Sequence, residues 1–381
     1  MHIAELSSAD ARSSAPVGPW LPDRLGMGFS YASIELGEDP DGEGRITATL
    51  VRHDESVRGA DSPPRAAILW VHGFSDYFFQ RHLAERLAAE GIAFYALDLR
   101  KSGRSLRPGL TPHYSTDLSQ YDEEMDAALG VVAAETGSSQ TRAESAGTTP
   151  TSGAPIIVAG HSTGGLVVCA WLARRGDRGA SPERVRGVLL DGPWLGFDAH
   201  AYLGTHSRIA AKALDGLIAA LARIAPKWVL PAPANELYGS SLAADRGGEF
   251  EYERALKPLG GVGIRPGWLA AVRREQRRIE RGPGFGLSIP VLLIRSSRSS
   301  RTDVDMDLIL DVRTMARLAP KISSNVRDRP LDGARHDAFV SAPAVREQVM
   351  AEVLEWMADK GIVASVSPDS SPPGPQPSQP Q

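Results

Sequence analysis

The stretch PIIVAGHSTGGLVVCA, residues 155–170, constrains this chain more than any other. Its run IIVA at 156–159 has no polar residue and is too uniformly apolar for a strand with one wet face, so it belongs inside a parallel sheet. The run ends in Gly160-His161-Ser162-Thr163-Gly164, and a helical pattern starts at once. Turning from strand to helix in so few residues forces the central serine into a crowded backbone conformation, and glycines beside it remove the side chains that would collide. A hydroxyl held this way projects from the carboxyl edge of a sheet, beside the unpaired N–H groups of a helix start.

The same alternation recurs along the chain. Apolar runs at 66–71 (AAILWV), 92–97 (IAFYAL), 185–190 (VRGVLL) and 291–295 (VLLIR) are separated by helical patterns such as QRHLAERLAAEG, where Leu83 and Leu87 share a face and Gly91 stands at the helix end. Strands alternating with helices predict an α/β fold with a mostly parallel sheet flanked by helices. Residues 30–53, containing ITATLVRH, read as an antiparallel hairpin ahead of it. Between 194 and 286 the alternation stops, and helices at 207–226 and 267–282 take over. Helices inserted between late strands are expected to lie over the strand ends as a cap or lid. The expected organisation is an N-terminal segment, 1–29, and a core in two parts, 30–193 and 287–364, on either side of a helical cap, 194–286. A flexible inserted loop at 136–154 and a disordered Pro-rich tail at 365–381 carry too few large apolar residues to offset the entropy of ordering.

Composition narrows the function classes. With 42% hydrophobic residues the chain can bury a sizeable core, and 42 Lys plus Arg against 46 Asp plus Glu leave no basic footprint for nucleic acid. The single cysteine, Cys169, excludes an intrachain disulfide or a cysteine zinc cage and reads as core. The N-terminal MHIAELSSADARSS lacks a basic start followed by an apolar run, and no stretch nears the roughly 18 apolar residues of a bilayer span. A cytoplasmic location is therefore expected, with no stable membrane insertion. Arginines 273, 274, 277, 278 and 281 alternate with Glu275 and Glu280; such a run is mostly a solvated face, and attraction to an anionic lipid surface is the alternative. There is no G-x-x-x-x-G-K-[ST] loop and no H-E-x-x-H helix, so neither a cofactor nor a metal is expected.

A serine nucleophile needs a base and an orienting carboxylate, which follow in the order Ser, acid, His when the serine sits on such an elbow. His336, in PLDGARHDAF, is the only histidine after His206. The acid must come from RSSRSSRTDVDMDLILD, which offers Asp303, Asp305, Asp307 and Asp311. Asp307 is favoured because it precedes the apolar run 308–310, whereas Asp303 and Asp305 look solvated and Asp311 looks like a helix start; Asp311 is the reserve candidate. Oxyanion donors are expected at the Thr163 N–H and at the Phe74 N–H, in VHGFSDYFF, where Gly73 lets the backbone approach. Tyr77, Phe78 and Phe79 are candidates for an acyl pocket, with simple core as the more usual role.

Three patches, VHGFSDY at 71–77, DLRKSGRS at 98–105 and AGHSTGG at 159–165, resemble the α/β-hydrolase superfamily, and within it the serine-aminopeptidase-like branch that contains monoacylglycerol lipases and lysophospholipases. The resemblance covers about 34–357 and departs from the pattern at Lys101, where Gly is usual. It implies an α/β-hydrolase fold, Ser162 as nucleophile, His336 as base, Asp307 as acid, and Phe74 and Thr163 as oxyanion donors. Relatives place the acid a few residues after the strand, whereas Asp307 comes twelve after Arg295. The expected activity is hydrolysis of a small-molecule acyl ester such as a monoacylglycerol or lysophospholipid. An aminopeptidase, an amidase or an acyltransferase is the alternative on the same residues, and a non-catalytic binding protein on this fold is a third.

Overall fold

A computed structural model describes residues 15–58, 63–137, 153–177, 179, 182–197, 208–231 and 236–363. The apolar runs of the sequence become the middle of one sheet because they alone can be covered on both faces. Among the described residues the sheet has nine strands: β1 Leu21–Pro22, β2 Phe29–Glu38, β3 Arg45–His53, β4 Ala66–Val71, β5 Ile92–Asp98, β6 Ile156–His161, β7 Val185–Asp191, β8 Val291–Ser296 and β9 Val326–Leu331. Their order is β1-β2-β3-β5-β4-β6-β7-β8-β9. The first strands pair antiparallel, β2 with β3 as the expected hairpin; from β5 to β9 all pairs are parallel. Strand β9, VRDRPL, was not legible as a strand, because a partly exposed edge strand tolerates its charges and Pro330.

Period-2 alternation divides the core in two. Ala67, Leu69 and Val71 of β4 join Tyr95, Leu97 and Val158 on one face, under helices α3 (Asp122–Glu135) and α4 (Thr163–Asp177). Ile68 and Trp70 join Phe94 and Ile157 on the other, under α2 (Arg81–Ala89) and the C-terminal helix Pro343–Asp359. Cys169 is buried in the first cluster, as read from the sequence. Helix α1 is Asp54–Arg58. Between β7 and β8 lie α5 (Arg208–Ile224), α6 (Leu237–Leu242) and α7 (Pro266–Arg281), followed by α8 (Val312–Leu318) and α9 (Pro343–Asp359).

The arginines of α7 are paired with carboxylates, and Arg274 and Arg281 remain half-exposed. Asp215 of α5 receives Arg273 at 3.0 Å, Arg281 at 2.9 Å and Arg277 at 3.5 Å, while Arg274 meets Asp117 and Arg278 meets Asp177. One aspartate thus pins two helices. Most of loop 136–154 and the tail 365–381 lie outside the described residues; Gly137 and Gly153 pair across the base of the former. No helix among the described residues is long and apolar enough to cross a membrane.

Lys101, the departure noted in DLRKSGRS, sits at φ +58, the left-handed region that explains why glycine is usual there. Its fully buried ammonium meets Asp39 and, at 3.2 Å, Glu43. Two effects oppose each other if glycine is restored. Relief of the backbone is worth about 1 kcal/mol, whereas stripping a buried pair of one partner costs about 3–5 kcal/mol. Lys101→Gly should therefore lower stability by about 2–4 kcal/mol in urea unfolding; a variant as stable as the wild type would mean that backbone strain outweighs the buried ion pair.

Candidate active site

Ser162 joins β6 to α4 with φ +52, a left-handed backbone that a non-glycine residue adopts at a cost of about 1–2 kcal/mol. The neighbouring glycines make it feasible. A Cβ on Gly160 would lie 2.6 Å from the backbone of Gly164 and Gly165, one on Gly164 would lie 2.4 Å from the carbonyl oxygen of His72, and one on Gly73 would lie 2.9 Å from the Ser162 Cβ. The turn is anchored by its own backbone. The Ser162 N–H donates to the Asp191 carbonyl at 2.9 Å, and the Ser162 carbonyl accepts from Gly165 at 3.1 Å and Trp194 at 3.0 Å.

His336 follows β9 and is buried. Its Nδ1 lies 2.9 Å from Asp307 Oδ2, while Asp307 Oδ1 accepts the N–H groups of Ile309 and Leu310, each at 2.8 Å. A carboxylate so held fixes the imidazole with Nδ1 as donor and leaves Nε2 to act on a proton. The other three carboxylates of that loop do not reach His336. Asp311 caps α8, as the sequence suggested, and Asp303 and Asp305 are exposed. The distance of Asp307 from β8 along the chain is taken up by a closed loop. Ser300 donates to the Asp307 carbonyl at 2.9 Å and Asp307 donates to Arg298 at 3.1 Å, so residues 299–306 fold out and return. Among the described residues the Ser162 hydroxyl is not hydrogen bonded to the imidazole; such contacts often tighten only when substrate arrives.

Phe74 and Thr163 line the same small cavity, about 20 Å³, with His72, Gly73, His113 and Trp268. Thr163 begins α4, so its N–H has no partner within the helix. The direction of the Phe74 N–H is set by His72, a residue that sequence reasoning did not single out. Leu99 N–H donates to His72 Nε2 at 3.1 Å, which leaves Nδ1 as the donor to the Gly73 carbonyl at 2.7 Å. Gly73 C=O and Phe74 N–H belong to one planar trans peptide, so drawing the oxygen one way aims the N–H the other. The Phe74 ring stacks on Trp268 of α7 at 3.9 Å. The readable signal was the His-Gly pair at a strand end.

The loop after β4 is also clasped by the segment inserted between β7 and β8. Lys257 pairs with Asp76 at 2.7 Å, Val262 N–H donates to Ser75 Oγ at 2.9 Å, and Glu253 N–H donates to the Tyr77 hydroxyl at 2.8 Å. Burial pushes the Tyr77 phenol up to about 12, so it stays neutral. Tyr77 and Phe79 pack with Leu242 and Phe250, and Phe78 with Phe94, as core and not as an open pocket. Ile218 is buried, whereas Leu217 and Trp228 are exposed. A larger cavity, about 500 Å³, lies between residues 193–196 and the segment 299–315, with Trp194, Leu195, Leu308, Met315, Ser300 and Asp311 among its walls.

Comparison with known proteins identifies the family and the fold. The serine aminopeptidase S33 family matches residues 62–341. A monoacylglycerol lipase of Mycolicibacterium smegmatis is 24% identical over 302 residues, 78% of this chain and 89% of that protein. Among solved structures, a soluble variant of the Saccharomyces cerevisiae monoglyceride lipase in complex with a substrate analogue superposes with a TM-score of 0.58 at 15% identity, covering 94% of this chain and 99% of the other. The Paleococcus ferrophilus monoacylglycerol lipase superposes with a TM-score of 0.55 at 21% identity, covering 78% and 96%.

The Gly73 contact gives a direct test of the packing around the elbow. Gly73→Ala should fold yet lose about a hundredfold in turnover, because its methyl group must displace the Ser162 Cβ, and misplacement by about 1 Å costs that much. Wild-type turnover in the purified variant would show that the elbow has slack. On its fold and its match over most of the chain, this protein belongs to the serine aminopeptidase S33 family, serine hydrolases of the α/β-hydrolase fold.

Proposed function

We propose that the protein hydrolyses carboxylic esters of a single acyl chain on a small polar alcohol, monoacylglycerols first among them, through a Ser162–His336–Asp307 triad. The observation that carries this reading is the hydrogen bond of His336 Nδ1 to Asp307 at 2.9 Å, beside a serine held at φ +52. His336 Nε2 takes the Ser162 proton as Oγ attacks the acyl carbon, and the N–H groups of Phe74 and Thr163 hold the oxyanion. Collapse expels the alcohol, which receives the proton from the imidazolium. Water, deprotonated by the same imidazole, then releases the acid and restores Ser162.

Residues 194–286 act as the cap, and the cavity next to the acid loop, where Trp194, Leu195, Leu308 and Met315 share the walls with Ser300 and Asp311, provides room of mixed polar and apolar character for a substrate. The names of the similar proteins, monoacylglycerol lipases, support the substrate class. None of the proposed steps calls on a metal or cofactor.

A fluorophosphonate probe together with a panel of monoacylglycerols, lysophospholipids, short esters and aminoacyl amides tests this. The wild type should be labelled and should prefer monoacylglycerols; Ser162→Ala should be neither labelled nor active. Asp307→Asn should keep its fold and lose about a thousandfold or more in kcat, since the imidazole loses its orienting charge. Turnover of amides but not esters would overturn the substrate class, and an active Ser162→Ala protein would overturn the mechanism.

A further inference from the structure

The end of β7 touches both halves of the site. Asp191 closes that strand and is fully buried. Its main-chain carbonyl accepts the Ser162 N–H at 2.9 Å. Its carboxylate divides between two partners: Oδ2 meets His161 Nδ1 at 2.8 Å, next to the nucleophile, and Oδ1 accepts the Ala338 N–H at 3.0 Å, two residues past the base. Gly192 follows at φ +49, and a Cβ there would lie 2.4 Å from the carbonyl oxygen of His336. The serine elbow and the histidine loop, far apart in the chain, therefore meet on one dipeptide.

The imidazole of His161 completes the joint. Its ring lies edge-on to that of His336, with centroids 4.8 Å apart. Burial alone would strip its extra proton, but the carboxylates of Asp337, Asp191 and Asp76 face it and push it up to about 9. Burial and the neighbouring Asp337 also push the Asp191 carboxyl up, so His161 and Asp191 share a proton; such a buried pair adds little net stability against its desolvation, but its geometry is directional, which suits it to setting register. The ligand atoms of His161, Asp191 and Asp337 lie within 4.8 Å of one another. Hydrogen bonds already account for them: Gln80 Nε2 holds Asp337 at 2.8 Å, and His161 holds Asp191.

We propose that Asp191 is a positioning residue that keys the Ser162 elbow to the His336 loop, gripping His161 on one side and Ala338 on the other. The inference rests on the reading of Ser162 as nucleophile and His336 as base. Loss of the key lets the two reacting groups drift, which lowers kcat by about a hundredfold per ångström of error and leaves substrate binding alone.

Steady-state hydrolysis of an activated p-nitrophenyl ester by Asp191→Ala, Asp191→Asn, His336→Ala and the double variant Asp191→Ala/His336→Ala tests it, with circular dichroism and melting curves beside each. Asp191→Ala should lose about a hundredfold in kcat with KM within about twofold. Asp191→Asn keeps an acceptor for the Ala338 N–H but turns an amide NH2 toward His161 Nδ1, so it should regain part of the loss, with kcat between that of Asp191→Ala and the wild type. In the His336→Ala background the Asp191 substitution should change the residual rate by less than about twofold, because the group it positions is gone. Asp191→Ala with kcat within about threefold of wild type, while His336→Ala is inactive, overturns this inference alone. Wild-type activity in His336→Ala overturns the base assignment, and this inference with it. If Asp191→Ala does not fold, Gly192→Ala is read in the same cycle: its methyl group presses on the His336 carbonyl, so the same kcat loss supports the joint and wild-type kcat overturns it.

Discussion

Ser162 is held at φ +52 between a buried strand and a helix, and the remaining groups of the site are arranged around that strained residue. The strain survives because the structure over-determines it. Gly160, Gly164 and Gly73 bring backbone to within distances that no side chain tolerates, and β6 lies between β4 and β7 with both faces covered. The sheet order then decides where partners come from. From β4 the chain runs outward to β5, and from β6 it runs the other way through β7, β8 and β9, so the reversal falls beside the elbow. His72 and Phe74 arrive from the end of β4, Asp191 from β7, Asp307 from β8 and His336 from β9. These are the carboxyl ends of neighbouring parallel strands, and they converge without long-range distortion.

What was legible in the sequence follows the same division. Strands β4 to β8 could be read because burial on both faces leaves a continuous apolar signal, and the elbow because its glycines answer a steric need. Strand β9 could not, since an edge strand accepts Arg327, Asp328 and Pro330. Asp307 could be favoured but not fixed among four aspartates: the pairing of Ser300 and Arg298 with Asp307 that closes the loop is long-range information. Asp191 was invisible. It stands in VRGVLLD as the last residue of an apolar strand, and only the approach of Ala338 and His161 reveals what its carboxylate holds.

The inserted segment shows what charge read along one element leaves out. The arginines of α7 read as a mostly solvated face, and Arg274 and Arg281 are half-exposed, yet three of the five converge on Asp215 of α5 and the others are met by Asp117 and Asp177. Their partners lie on other elements, where no pattern within α7 can announce them. Those pairs join the helices of the insertion to one another and to the core, while Lys257, Val262 and Glu253 join it to the loop that carries Phe74. Displacement of residues 253–262 would therefore break three hydrogen bonds to the loop between Phe74 and Phe78, which couples the position of the insertion to the loop that carries Phe74.

Buried charges recur at the points where loops must be registered. Arg100 grips Glu124, Arg104 bridges Asp98 and Asp23, Lys101 meets Asp39 and Glu43, Lys257 meets Asp76, and His161 meets Asp191. Apolar contact would supply comparable or greater stability at each place, because desolvation consumes most of the Coulombic gain. Apolar contact is also non-directional, so a loop packed by it alone can slide by a fraction of an ångström at little cost. A buried ion pair with directional hydrogen bonds resists that sliding. Around a strained serine whose partners come from four different strand ends, tolerance to sliding is the quantity that matters, and the polar joints are found where the loops meet.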